Sequence, residues 1–165
     1  MKINAYDDKE LIYISLRKMN CSIENILKIL EVFKCDMMVI QIGDVEKEGK
    51  LFQIIKRASK KYWLVLLEDK LLADVIFKTN KYYLKEIVRE IFKSGNSSFS
   101  IQIVSNQSIW KPSTLEVNTR QLMKSEMIMA EIVVAVDESQ VDILCCKNIY
   151  DKKELVTHIK EHLGI

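Results

Sequence analysis

Asp36-Met37-Met38-Val39-Ile40-Gln41-Ile42-Gly43 is the stretch on which the fold turns. Its apolar residues run continuously instead of alternating, the pattern of a strand covered on both faces. Residues 2–6 and 62–67 are read as strands of the same kind. Between them lie amphipathic stripes: Ile23, Ile26, Leu27, Leu30 and Phe33 after a candidate N-cap at Ser22, then Leu51, Ile54, Ile55 and Ala58 after Gly49. Strands buried on both faces and joined by helices predict an α/β domain with a parallel sheet.

The outer parts of this region are less sharply written. In residues 9–20, Ile12, Leu16 and Met19 fit a helix, while Ile12, Ile14 and Leu16 also alternate like a strand; helix is the reading taken. Beyond residue 67 the pattern predicts a helix over 71–77, a short strand over 81–85 and a helix over 86–93. A polar run, Ser94-Gly95-Asn96-Ser97-Ser98, marks a boundary and divides the chain into residues 1–94 and a smaller segment, 98–165. That segment is read as α+β. Phe99 to Val104 alternates, Ile128–Val136 and Val141–Cys146 form an antiparallel hairpin around Asp137-Glu138-Ser139-Gln140, and residues 152–163 form a helix closed by Gly164.

Composition narrows the function classes. The 165 residues are 48% hydrophobic, enough for an ordinary core, and 25 Lys and Arg against 23 Asp and Glu leave a net charge of +2, too little to attract nucleic acid or membrane in bulk. No apolar run reaches membrane-spanning length and Met1-Lys2-Ile3-Asn4 opens no signal peptide, which predicts a cytoplasmic protein. Cys21, Cys35, Cys145 and Cys146 form no C-x-x-C unit and read as reduced thiols. With four glycines and one proline, the chain has no Walker loop, dinucleotide fingerprint or G-x-S-x-G elbow. A non-enzymatic role is the expectation.

The acids Asp7 and Asp8 end the first strand, where adjacent carboxylates suit a hard cation such as Mg²⁺. This opening, with the strand that ends in Gln41, Gly49 and the helix beginning Leu51-Phe52-Gln53, resembles the receiver domain of bacterial response regulators over residues 1–94. The resemblance implies a flavodoxin-like parallel sheet with helices on both faces. It places Asp7 and Asp8 as weak Mg²⁺ ligands, Gln41 at the position of the phosphoaccepting aspartate, and Lys85 at the family's lysine, with Lys78 as rival. Gln41 and Glu68 depart from the family's pattern, and an amide cannot form an acylphosphate, so the expectation is a pseudo-receiver without a phosphorylation switch. Asp44 and Glu68 read as loop acids.

The C-terminal segment faintly resembles the first part of a LytTR-type DNA-binding domain, through Phe99, Ile132-Val133-Val134 and Lys153-Glu154-Leu155. Trp110, Lys111, Arg120 and Lys124 are its candidate backbone contacts. His158-Ile159-Lys160-Glu161-His162 has the spacing of a zinc motif, yet no third histidine exists to complete it. A competing reading takes residues 9–19 and 22–31 as the first helices of a helix-turn-helix whose recognition helix ends near Glu46-Lys47-Glu48-Gly49, although Met37, Met38, Val39, Ile40 and Ile42 are apolar where a groove reader is polar. The combined expectation is a signalling or transcription-regulatory module acting through protein contacts, as a homodimer or with a protein partner, with DNA binding unsupported by charge.

Overall fold

A computed structural model describes residues 1–59, 62–66, 72–96, 98–104 and 128–165, with the backbone alone considered for residues 63–66. Among these residues eight strands form one sheet: β1 (Lys2–Asp7), β2 (Leu11–Arg17), β3 (Met37–Glu46), β4 (Tyr62–Leu66), β5 (Leu72–Asn80), β6 (Ser98–Val104), β7 (Ile128–Ala135) and β8 (Gln140–Cys146). Their spatial order is β1-β2-β8-β7-β6-β3-β5-β4, and all seven neighbouring pairs are antiparallel. Among the described residues four helices accompany it: α1 (Ile23–Glu31), α2 (Lys50–Ala58), α3 (Lys81–Lys93) and α4 (Lys152–Leu163).

The antiparallel pairing overturns the parallel, receiver-like sheet. The apolar run in β3 reports two-sided burial as far as Ile40: Met38, Ile40 and Ile42 enter the core beneath the helices, while on the other face Val39 joins a separate buried cluster with Leu11, Ile76, Val104, Ile128 and Cys146 and Gln41 is exposed. Burial on both faces accompanies parallel strands but does not require them. A central antiparallel strand with both faces covered has the same signature.

Two local readings change with it. Residues 11–17 are a strand, so Ile12, Ile14 and Leu16 face the helices and Leu11, Tyr13, Ser15 and Arg17 the opposite side, which removes the helix over 9–20 and the helix-turn-helix built on it. Residues 72–80 are also a strand, with Ala73, Val75 and Phe77 in the main core. Asn80 then caps a single helix over 81–93, its side chain accepting from the Tyr82 N–H at 3.0 Å. The helices at 23–31, 50–58 and 152–163 and the 128–146 hairpin stand where the sequence puts them.

The helices lie in one layer, α4 beside α1, α1 beside α3 and α3 beside α2. Their buried stripes, such as Ile26, Ile29 and Leu30 on α1 or Leu84, Ile87, Val88 and Ile91 on α3, close the core against the sheet.

The connectivity repeats. β3-α2-β4-β5-α3-β6 is a βαββαβ unit with spatial order β6-β3-β5-β4. β2-α1-β7-β8-α4 follows the same path, and β1 takes the place that β6 holds in the first unit, giving β1-β2-β8-β7. The second unit is therefore circularly permuted, its last strand placed at the N terminus, and the first unit is inserted between α1 and β7. The seam between them is the β6–β7 pair in the sheet and the α1–α3 packing above it.

Candidate functional site

The acidic pair forms the turn of the β1–β2 hairpin. Asp8 Oδ1 accepts from the backbone N–H groups of Glu10 (2.8 Å) and Leu11 (2.7 Å), and the Asp8 N–H donates to the Leu11 carbonyl at 3.0 Å. This is the local turn chemistry for which aspartate is suited. Asp7 points to the helix side. Lys147 Nζ donates to Asp7 Oδ2 at 2.6 Å and Lys152 Nζ to Asp7 Oδ1, while Lys147 also reaches the Asp8 carbonyl at 3.0 Å.

Hydrogen bonds from Lys147, then from Lys152, hold the Asp7 carboxyl down at about 2, against the opposing effect of desolvation. At neutral pH it is a fixed anion without acid–base capacity. Two ammonium groups occupy the oxygens that Mg²⁺ would need, so Asp7 fastens β1 to the segment that opens α4. Asp151 caps that helix through the Lys153 and Glu154 N–H groups, each at 2.9 Å.

The other receiver-like positions do not converge on this turn. Gln41 is exposed in the middle of β3, between Ser100 of β6 and Ile76 of β5. Four strands separate β1 from β3, which at 4.8 Å per strand is about 24 Å. Lys85 is exposed on α3 in the helix layer and Lys78 lies on β5. Asp44 sits in the bulge of β3 at a φ of 52°, its N–H donating to Asp74 Oδ1 at 3.2 Å. Glu68, Trp110, Lys111, Arg120 and Lys124 lie outside the described residues.

Among the described residues, no three His, Cys, Asp or Glu side chains come together to hold a metal. His162 Nδ1 lies 2.9 Å from the His158 carbonyl, one helical turn away. The described helices include none long and apolar enough to cross a membrane.

A second candidate is the sheet face opposite the helices, over β1, β2, β8 and β7. Strand alternation brings Tyr6, Tyr13, Arg17, Asp142, Leu144 and Val133 to this face. A hollow of about 470 Å³ opens among them. Tyr6 and Tyr13 stack with ring centroids 4.8 Å apart and planes 7° from parallel, and Tyr6 remains 62% exposed. Val133 is 40% exposed.

Polar pairs surround these residues. Gln140 Nε2 donates to Asp142 Oδ2 at 2.6 Å and Gln102 Nε2 to Glu131 Oε1 at 3.1 Å. Arg17 forms no ion pair among the described residues, and Ser15 Oγ is buried without a hydrogen-bond partner among them. The face combines aromatic, apolar and charged groups, and among the described residues no nucleophile and base are held together on it. Sequence reasoning passed over Arg17 and Tyr13 by reading 9–20 as a helix, although the alternation Ile12, Ile14, Leu16 contained the signal.

No family model matches the chain, and no curated protein is similar to it. Among solved structures the chain is similar to one described as the crystal structure of aspartokinase alpha and beta subunits, at 14% identity over 79% of this chain and 94% of that one. The TM-score is 0.24, too low to transfer a fold or a function.

Proposed function

We propose that this chain is a non-enzymatic regulatory module that works through protein contacts, and that the contact it makes with a second copy uses the sheet face opposite the helices. The observation that carries this reading is the exposed Tyr6 and Val133 on a face that also presents Arg17, Glu131 and Asp142. A two-fold interface must complement itself, and a face holding both a cation and acids around apolar residues can do so. The β7–β8 hairpin contributes through this face. Its edges are already paired, with β6 on one side and β2 on the other, so edge-to-edge addition at the hairpin is replaced by face contact.

A reducing, cytoplasmic setting belongs to this reading, in which Cys21, Cys35, Cys145 and Cys146 remain thiols. Sedimentation velocity at tens of micromolar tests it. The wild-type chain should sediment as a dimer, and Tyr6→Asp with Val133→Asp as a monomer with an unchanged circular dichroism spectrum. A wild-type monomer, or a dimer indifferent to both substitutions, removes the proposed surface. Duplex DNA binding with a steep salt dependence would restore a DNA-binding role in its place.

A further inference from the structure

The seam between the two βαββαβ units holds a cavity of about 650 Å³ in the helix layer. Its floor is apolar: Leu27 and Leu30 of α1, Met38 of β3 and Leu84 of α3. The rim is charged, with Lys34, Lys81 and Lys85 against Glu31 and Asp36. Lys81 Nζ pairs with Asp36 Oδ1 at 2.7 Å, which leaves Lys34 and Lys85 without an ion pair among the described residues.

Lys81 and Lys85 run against the dipole of α3, whereas Lys34 follows the C-terminal end of α1, where a cation is favoured. α3 begins at this cavity with no acid in its first turn, and Lys81 adds positive charge to the positive end of its dipole, with Lys85 one turn further on. α1 and α4 each carry a glutamate in the corresponding turn, whereas α2, like α3, carries none. Lys34 stands at the rim in the left-handed conformation (φ 44°) that closes α1, its N–H donating to the Glu31 carbonyl at 3.3 Å. Excess positive charge above an apolar floor is relieved by a ligand with one anionic end and one apolar end.

Size separates a small ligand from a docked helix. A helix about 10 Å across fills roughly 420 Å³ per turn. The 650 Å³ present accommodates about one and a half turns, too few for the i, i+4, i+7 anchors of a helix laid in a groove. It lies instead within the range of small-molecule sites.

We propose that the seam cavity binds a small apolar carboxylate, its tail on Leu27, Leu30, Met38 and Leu84 and its carboxylate between Lys34 and Lys85. The site joins the two units, since Leu27 and Leu30 belong to one and Met38, Leu84 and Lys85 to the other. It is separate from the sheet face assigned to protein contact and stands or falls independently of it.

Amide chemical-shift titration with octanoate tests the site, with inorganic phosphate and octan-1-ol as single-ended probes. Octanoate should give saturable shifts at millimolar concentrations or below, clustered at residues 27–38 and 81–85, and each single-ended probe should bind at least tenfold more weakly. Lys34→Glu with Lys85→Glu should weaken octanoate at least tenfold while leaving the melting temperature within a few degrees of wild type. Unsaturable shifts, shifts centred on the opposite sheet face, phosphate binding as tight as octanoate, or indifference to the double charge reversal would each overturn the proposal. If the double variant does not fold, Lys85→Gln replaces it, with a severalfold loss of octanoate affinity expected and an unchanged affinity overturning the assignment.

Discussion

Asp7 and Asp8 are neighbours with different physical roles, and substitutions should separate them. The Asp7 carboxyl is depressed from 3.8 to about 2 by Lys147 and Lys152, so its contribution to stability is fully present above the unfolded pKa near 4 and disappears as pH falls through 2. Asp7→Asn should therefore melt below wild type by a constant margin between pH 5 and 7, and the two melting curves should converge near pH 2. A pH-independent difference would show that the ion pairs are not its source. Asp8→Ala strands the Glu10 and Leu11 N–H groups in the hairpin turn and should cost about 1 kcal/mol with little pH dependence above pH 5. Mg²⁺ in the millimolar range should give no saturable shifts at either residue, because ammonium groups already hold Asp7 and backbone N–H groups hold Asp8. The pair itself was legible as a feature of the sequence; its partners were not, because Lys147 and Lys152 are 140 or more positions away.

At the scale of elements, side-chain caps fix helix starts that periodicity alone leaves uncertain. Ser22 accepts from the Asn25 N–H at 3.3 Å, whereas Asp151 accepts from two N–H groups at 2.9 Å and places a carboxylate at the positive end of α4. Asp151→Ala should therefore lower chemical-denaturation stability by about 1–2 kcal/mol, and Ser22→Ala by about 0.5–1 kcal/mol. Equal losses would argue against the capping geometry. Gly49 at the start of α2 has a different reason from the one a receiver resemblance supplies: a Cβ there would come within 3.0 Å of Glu46 Cβ and 3.1 Å of the Glu46 carbonyl oxygen. The errors among elements have one form. Leu11–Arg17 and Leu72–Asn80 mix β-branched residues with residues that helices also favour, and it is pairing with β8 and with β3 that makes them strands.

For the whole molecule, the sheet order predicts which pieces can fold. A fragment of residues 1–94 keeps β1, β2, β3, β4 and β5 but loses β8, β7 and β6, the three strands that connect β2 to β3. It should show no cooperative thermal transition. Residues 36–104 contain a complete βαββαβ unit and should unfold cooperatively, though below the full chain because the β6–β7 seam and the α1–α3 packing are lost. A cooperative 1–94 fragment beside an unfolded 36–104 fragment would contradict this topology. Within the full chain, Ile143 of β8 sits in the main core at 2% exposure, and Ile143→Ala should cost about 2–5 kcal/mol in denaturant titration.

The amino-acid sequence by itself determined the local facts: the helices at 23–31, 50–58 and 152–163, the β7–β8 hairpin, the Ser22 cap, the Gly164 closure and the burial of Met38, Val39 and Ile40 on the two faces of β3. Each follows from spacing or turn chemistry within a few residues. Only the tertiary structure decided strand direction, the insertion of one βαββαβ unit into a permuted second, the pairing of Asp7 with Lys147 and Lys152, and the seam cavity. A continuous apolar strand satisfies its burial in either direction, so its own residues carry no vote on pairing. That choice is made by the partner's backbone, and for β2 the partner, β8, begins 123 residues beyond the end of the strand it pairs with.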